Sequence, residues 1–331
     1  MRKSHPIPAE MPPQSSQLLE LPELVLESIL GMLSPEGLCN MSCVCLLMQE
    51  RCMNDFLWER HMNEKWGGLI GKAATKEWQL YIASRSPNSP PSAVVEDWAG
   101  FLSRISPSLV WLVSKLGGVC SSKTRLRGST LMVNSIMYWY MSLEKGRFWF
   151  PAQIFNRENG HVGFMLSCYD AQLSYDRIKN TFCARYPSQG RRAIVVEEAV
   201  QWDRLRMAPV DTPSDSLHIS DYLNELRPKD NIEIQWRRNK DFPYGWWYGV
   251  VGHLETCDGN EFHCRCGNND TLILEFKQYM PGSRWRRASV DRKNHCEKGN
   301  ETDGFYGGIR RLQDKEEISK WLRIWPKESL E

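Results

Sequence analysis

The stretch from Leu18 to Arg60 constrains this chain more than any other, because it is patterned as short amphipathic helices too small to bury themselves. Leu21-Pro22 opens it, and Pro22 suits the first position of a helix, where no amide proton is needed. Glu23 follows in the first turn, where the helix dipole favours a carboxylate. Leu26, Ile29, Leu30 and Leu33 then recur at i, i+3, i+4 and i+7, one face of an α-helix. Ser34-Pro35-Glu36 restarts the pattern as a cap, a first-turn proline and a first-turn acid. Leu38, Met41, Cys45, Met48 and Cys52 line one side of a second helix, and Asn54 or Asp55 caps a third that carries Phe56, Leu57 and Trp58. Units of this size need a partner or a staple, so an apolar helical face left outside is expected to be an interface.

The order of these signals resembles the F-box: leucine-proline, a leucine/isoleucine helix, a proline-acid-leucine turn, valine-cysteine, and a terminal leucine-tryptophan. Here they stand as Leu21-Pro22, Val25 to Leu33, Pro35-Glu36-Gly37-Leu38, Val44-Cys45 and Leu57-Trp58. Two departures matter. Gly37 occupies the place of the acid before the leucine, and Leu46-Leu47-Met48 stand where the family carries lysine and tryptophan. The resemblance implies docking on a Skp-family adaptor, with Leu21, Pro22, Val25, Ile29, Leu33, Leu38, Val44 and Trp58 forming the adaptor face or its immediate support.

Formal net charge is +2, from 42 basic and 40 acidic residues, which argues against a nucleic-acid or membrane-surface protein. Eleven cysteines are an odd number, four of them inside the helical stretch at Cys39, Cys43, Cys45 and Cys52. No apolar signal region precedes them, so reduced thiols and a cytoplasmic or nuclear location are expected. No apolar run reaches transmembrane length: the nearest, Trp98 to Val119, is interrupted by Arg104, Pro107 and Lys115.

The organisation follows from composition. Residues 1–17 form a proline-bearing leader, expected to be disordered. Residues 18–83 hold the F-box-like unit and one further helix, 84–97 a Ser/Pro linker, and 98–331 a tryptophan-rich domain with a sub-boundary near 209–220. Trp98 to Leu116 reads as one or two helices. From Ser129 onward, aromatic and β-branched segments alternate with turn residues, a strand signal. Candidate strands are Leu131 to Val133, Met137 to Met141, Phe148 to Phe155, Val162 to Ser167, Ala193 to Val196 and Gln201 to Met207. A second series runs Asn231 to Trp236, Trp246 to His253, Thr271 to Phe276 and Ser283 to Ser289, before a closing helix over Asp314 to Ile324. The two series look like a repeat, with Phe148 to Ile154 parallel to Trp246 to Gly252, and Trp202 to Arg206 parallel to Trp285 to Ala288. The fold class is α+β: a small helical F-box, then a β-rich domain with flanking helices, its two series readable as two Tudor-like small barrels.

The segment Leu226 to Trp236 followed by Gly245 to Val251 resembles the opening strands of Agenet and other Tudor-like barrels. In such modules aromatic walls bind a cationic side chain by cation–π attraction, which makes Trp236, Tyr244, Trp247 and Tyr248 candidate target-binding residues. Trp285, among Arg284, Arg286 and Arg287, is a fifth. Core packing is the competing account of these aromatics. Basic and acidic residues balance from 221 to 331, so this aromatic-basic texture does not predict nucleic-acid binding. Cys257, His263, Cys264, Cys266, His295 and Cys296 invite a zinc reading, but Cys264-x-Cys266 is too tight for the common CxxC knuckle and no second CxxC exists. Ordinary reduced thiols are the expectation, with no metal and no cofactor.

No catalytic constellation is present: no GxSxG elbow, no GxxxxGK[ST] loop, no HExxH and no dinucleotide fingerprint. Cys120, Cys168 and Cys183 lack the surroundings of a thiol nucleophile. The expected role is therefore non-catalytic. The chain resembles the plant F-box proteins with a tryptophan-rich C-terminal half. That resemblance implies a substrate receptor of a cullin-RING ubiquitin ligase: the F-box meets the adaptor, which joins cullin and RING subunits, and the C-terminal domain holds a target protein. The alternative is a reader of methylated peptides or chromatin outside any ligase.

Overall fold

The computed structural model describes residues 17–84, 135–160, 163–187, 194–209, 216–220, 222–237, 242–260, 263–297 and 305–324. The leader up to residue 16, the linker from residue 85, the helices expected between Trp98 and Leu116, and the strand expected at Leu131 to Val133 lie outside these residues. The chain divides into two compact units, residues 1–64 with 87–138, and residues 65–86 with 139–331.

The first unit is helical. A 3-10 turn, Gln17–Glu20, precedes α1 (Glu23–Gly31), α2 (Pro35–Ser42), α3 (Leu46–Cys52) and α4 (Asp55–Trp66). Pro22 stands just outside α1, and its carbonyl accepts the first amides, from Val25 and Leu26. Ser34 caps α2 by accepting the Gly37 amide at 3.1 Å, with Pro35 in the first turn. The single second helix expected through Cys52 is instead two. The chain leaves helical geometry at Cys45, whose sulfur accepts the Met48 amide at 3.5 Å and so caps α3. Asn54 accepts from the Phe56 amide at 3.1 Å at the head of α4. Leu26, Leu30, Leu38, Cys39, Met48, Cys52, Leu57 and Trp58 are buried, and the Trp58 indole donates to the Cys52 carbonyl at 2.8 Å.

The second unit is built on an antiparallel ten-stranded sheet. Its strands are β1 (Phe150–Gly160), β2 (Gly163–Asp176), β3 (Thr181–Arg185), β4 (Val196–Val200), β5 (Leu205–Met207), β6 (Asn231–Arg237), β7 (Gly245–Val251), β8 (Thr271–Glu275), β9 (Arg287–Asp291) and β10 (Phe305–Arg311). Pairing follows one scheme twice. β1 pairs with β2 and β5, β2 with β3, and β3 with β4. β6 pairs with β7 and β10, β7 with β8, and β8 with β9. The two five-strand sets join through β2 and β7, where Ser167 faces Trp247, Cys168 faces Trp246 and Tyr169 faces Gly245. The result is one continuous sheet.

The repeat read from sequence is thus present as topology, but in a different register. Phe148 to Ile154 leads into β1, whose counterpart is β6, not the β7 segment matched to it by aromatic content. Trp202 precedes the fifth strand of its set, in a 3-10 turn, whereas Trp285 precedes the fourth. The aromatic run Met137 to Met141 is not a strand: it lies in α6 (Ile136–Glu144).

Helix α5 (Lys72–Ser84) belongs to the sheet unit, where Trp78 stacks on Trp139 with ring centroids 5.5 Å apart and meets Phe148 edge-on at 5.0 Å. Trp66, fully buried, meets Tyr175 at 5.2 Å and Trp202 at 5.3 Å. The closing helix α7 (Lys315–Arg323) is capped by Asp314, which accepts the Glu316 amide at 2.9 Å. β3 and β10 escaped the sequence reading, and the strand expected at Ala193 to Val196 meets β4 only at Val196. In β10 a Cβ on Gly308 would overlap the His218 carbonyl oxygen, so only glycine allows that approach.

Candidate functional site

The helical unit carries the densest exposed apolar surface among the described residues. Leu24 and Val25 on α1, Met32 just after it, Val44, Leu46 and Leu47 at the α2–α3 turn, and Phe56 at the head of α4 all face solvent, with Leu46 84% and Leu24 77% exposed. The cause is local. Each helix commits one apolar stripe to the small core, and further apolar residues on its outer side and at the turns are left over.

The eight residues expected at the adaptor face divide into three groups by burial. Val25 and Val44 are exposed apolar side chains, and Pro22 is exposed beside them in sequence. Leu38 and Trp58 are buried and support the helices from within. Leu21, Ile29 and Leu33 are half-buried. Leu24, Met32, Leu46, Leu47 and Phe56 are exposed as well and lie outside the set implied by the F-box resemblance, which follows motif positions rather than exposure. An ion pair between Arg51 on α3 and Glu23 on α1 crosses this surface. His61 is buried beneath it, with Nε2 3.1 Å from the Leu33 carbonyl oxygen. Burial, and then the neighbouring Arg60 charge, hold its pKa below the ordinary value.

In the sheet unit most of the candidate target-binding aromatics are packed inside rather than gathered in an open cage. Strand alternation sends Trp247 to one face, where it packs with Ile232, Ile234, Leu274 and Phe276, and sends Trp246 and Tyr248 to the other, with Phe155 and Trp321. Both faces are covered. Trp236 lies against Trp247 with centroids 4.2 Å apart, leaving no room for a guest cation between them. Tyr248 is buried, donates to Asn231 Oδ1 at 2.5 Å and stacks on Trp321. Tyr244 is buried as well, and its ring already carries the Arg237 guanidinium at 4.5 Å. Trp285 alone of the five is exposed, at 44%, with Arg284 over its ring at 4.7 Å. The competing account, core packing, describes Trp247 and Tyr248.

A cleft of about 290 Å³ opens where the two five-strand sets join. Tyr169, Tyr186 and Tyr244 line it with Pro187 and Pro243, and Asp170 and Glu197 contribute carboxylates. Glu197 is engaged by Arg204 at 2.6 Å and accepts from the Tyr186 hydroxyl. Tyr186 is correspondingly held well above its ordinary pKa, by burial first and then by that carboxylate.

Every described cysteine is a free thiol. Cys168 is buried, and burial pushes its thiol up to about 12, so it serves packing rather than nucleophilic chemistry. The six residues considered for zinc do not meet as a group. Cys296 is exposed, His263 is exposed, and His295 lies 3.2 Å from the Gly307 carbonyl. Cys257, Cys264 and Cys266 do converge, and on a residue the sequence reading passed over, His253. The three thiols of that loop thus gather around one imidazole.

Comparison with known proteins agrees with the helical unit. The F-box-like family matches residues 18–64. The F-box protein At2g26850 of Arabidopsis thaliana is 53% identical over 320 residues, covering 95% of this chain and 84% of its own length. The F-box protein At2g41170 of the same plant is 49% identical over 323 residues, with the same coverage of both chains. F-box proteins are in general non-catalytic adaptors with a substrate-recognition role, and the likeness here runs far beyond the F-box itself, through the sheet unit. The chain belongs to the F-box protein family.

Proposed function

We propose that this protein is the substrate receptor of an SCF-type cullin-RING ubiquitin ligase, acting in the cytoplasm or nucleus. The observation that carries the reading is the exposed apolar set on the F-box-like segment, Leu24, Val25, Met32, Val44, Leu46, Leu47 and Phe56, on helices that keep a separate buried core. Apolar surface of this density, on a unit this small, is covered by a partner. A Skp-family adaptor is the partner that the family implies. Leu46 and Leu47 take the place of the usual lysine and tryptophan, so adaptor contact there is apolar.

The chain then works by proximity. It holds a target protein near the charged conjugating enzyme and raises the effective concentration of the target lysine, while partners perform the transfer. Surface on the sheet unit supplies the grip on the target. The tyrosine- and proline-lined cleft and exposed Trp285 are the places there that offer aromatic faces beside charge. Burial of Trp247, Tyr248 and Tyr244 weighs against the alternative of a methyl-lysine reader, which needs an open aromatic cage.

The test is co-purification of the full chain with a Skp-family adaptor. Leu46→Glu and Val25→Glu, both at exposed positions, should abolish retention of the adaptor while circular dichroism stays unchanged. Adaptor retained in full by the double variant would overturn the assigned interface. Leu21→Ala with Pro22→Ala probes the entry to α1 in the same assay and should weaken retention.

A further inference from the structure

The loop between β7 and β8 holds a constellation that adaptor docking does not use. β7 ends at Val251 and β8 begins at Thr271, and the two strands pair directly, Val251 facing Leu274. Between them the chain makes a long excursion whose described residues contain only turns and one short 3-10 segment, Cys266–Asn268. A loop of this length inside a compact unit needs something to hold it.

His253 stands two residues beyond β7. A turn closed by the Cys257 amide on the Leu254 carbonyl, at 2.9 Å, brings Cys257 back toward it. Cys264 and Cys266 return from the far end of the loop, just before β8. The four potential donor atoms all lie within 4.8 Å of one another. His253 Nδ1 is 3.5 Å from the Cys257 sulfur, 3.4 Å from that of Cys264 and 3.9 Å from that of Cys266.

Hydrogen bonding does not account for this geometry. A neutral imidazole nitrogen offers one lone pair in the ring plane, which serves one thiol donor well and not three. A tetrahedral cation accounts for all three distances at once. With Zn–S near 2.3 Å and Zn–N near 2.0–2.1 Å, nitrogen and sulfur ligands sit about 3.6 Å apart along each edge of the tetrahedron. The donors are three soft sulfurs and one imidazole, with no carboxylate among them, a set that selects zinc over magnesium or calcium. The surroundings fit as well. The Leu254 amide donates to the Cys266 sulfur at 3.3 Å, the kind of outer contact that steadies a thiolate ligand. The Arg227 guanidinium lies so close to Gly267, the residue after Cys266, that a Cβ there would overlap it. That places a cation beside a site whose three thiolates and one zinc ion sum to one negative charge.

We propose that His253, Cys257, Cys264 and Cys266 form a structural zinc site that clamps the β7–β8 loop onto the sheet. Four protein ligands leave no open position, so the site is closed and has no catalytic part. On binding, three S–H bonds give their protons to solvent and three Zn–S bonds form, with no electron transferred. The spacing, His-x3-Cys-x6-Cys-x-Cys, lies outside the common CxxC knuckle, so the cysteines invite a zinc reading in one dimension but His253 is not singled out with them.

The test uses the full chain, expressed with zinc and purified without chelators. Elemental analysis should give about one zinc per chain, as a closed four-ligand site requires. Cobalt in place of zinc should show sulfur-to-cobalt charge transfer and the visible absorption of a tetrahedral set of three sulfurs and one nitrogen. Cys264→Ser and Cys266→Ser should lose the metal. Should those variants fail to fold, His253→Cys still decides: it should retain zinc and shift the cobalt spectrum toward that of four sulfurs. Full-length protein that is folded and metal-free, with all three thiols open to alkylation, overturns the proposal. So does a disulfide between any two of them, or a cobalt spectrum indifferent to His253→Cys.

Discussion

Arg206 Nη1 donates to Glu233 Oε2 at 2.9 Å, so the last strand of the first five-strand set is tied to the first strand of the second through an ion pair inside the protein. Glu233 is wholly buried. The Trp321 indole donates to the same oxygen at 3.1 Å, and Arg310 Nε donates to Oε1 at 2.7 Å. Arg206 Nε reaches on to Gln153 Oε1 at 2.7 Å. Strands β1, β5, β6 and β10 and helix α7 therefore share one polar node. Burial opposes the charge on Glu233, and the Arg206 and Arg310 guanidinium groups override it, holding the carboxyl below its ordinary value of 4.5.

Removing that carboxylate strands the buried Arg206 and leaves the half-buried Arg310 with Glu317 as its remaining acid. Glu233→Ala is expected to cost roughly 3–5 kcal/mol, the usual penalty for breaking a buried pair from one side, read by urea denaturation followed through tryptophan fluorescence. The same group sets a pH dependence. Its pKa is depressed on folding, so its stabilisation is complete above 4.5 and is lost as pH falls through the lower folded value. Glu233→Gln should flatten that acid limb; an unchanged limb would assign it to other carboxylates.

His61 sets a second, milder window in the helical unit. Its folded pKa lies below the ordinary 6.5, so the neutral ring is favoured on folding, and the associated stability is present above 6.5 and declines as pH falls below it. Acidification from about pH 7.5 to about 5.5 should lower the melting temperature of the wild-type chain more than that of His61→Gln. Equal shifts in both would show that His61 is silent.

The aromatic residues of the sheet unit should separate cleanly by substitution. Trp247→Ala removes a core side chain and is expected to cost about 3–5 kcal/mol, whereas Trp285→Ala, half in solvent, should leave thermal stability within about 0.5 kcal/mol of wild type. Target capture from native tissue with the ligase inhibited then reads function. Loss of captured protein with Trp285→Ala at unchanged stability places the target on that surface. Full capture moves attention to the cleft at Tyr169 and Tyr186.

Much of the architecture was legible in one dimension where a signal is local. Ser34-Pro35 marked the start of α2, Asp314 marked α7, and β6, β7 and β8 fell within a residue or two of their expected bounds. Failures came where long-range packing decides. Tyr138-Trp139-Tyr140 reads as strand by composition, yet lies in α6, whose Met137, Tyr140 and Met141 are buried. β10 was hidden by Gly307-Gly308, a pair that would weaken an isolated strand, though Gly308 is required where the His218 backbone crosses it. The exposed apolar surface of the helical unit was legible as a segment and not as residues, because periodicity picks out what is buried, and Leu24 and Leu46 are defined by being left over. The zinc-type cluster needed His253, which sits at a strand end among no motif, so only the pairing of β7 with β8 brings it to the cysteines.

The junction at Ser167–Trp247, Cys168–Trp246 and Tyr169–Gly245 bears on how this duplicated architecture can be cut. Each half has a complete set of five strands, so the region near residue 210 invites separation into two portable modules. Division there would strip backbone partners from β2 and β7 together and lay bare the faces of Cys168 and Trp246, turning two interior strands into adhesive edges. Either half produced alone is therefore expected to aggregate through that edge.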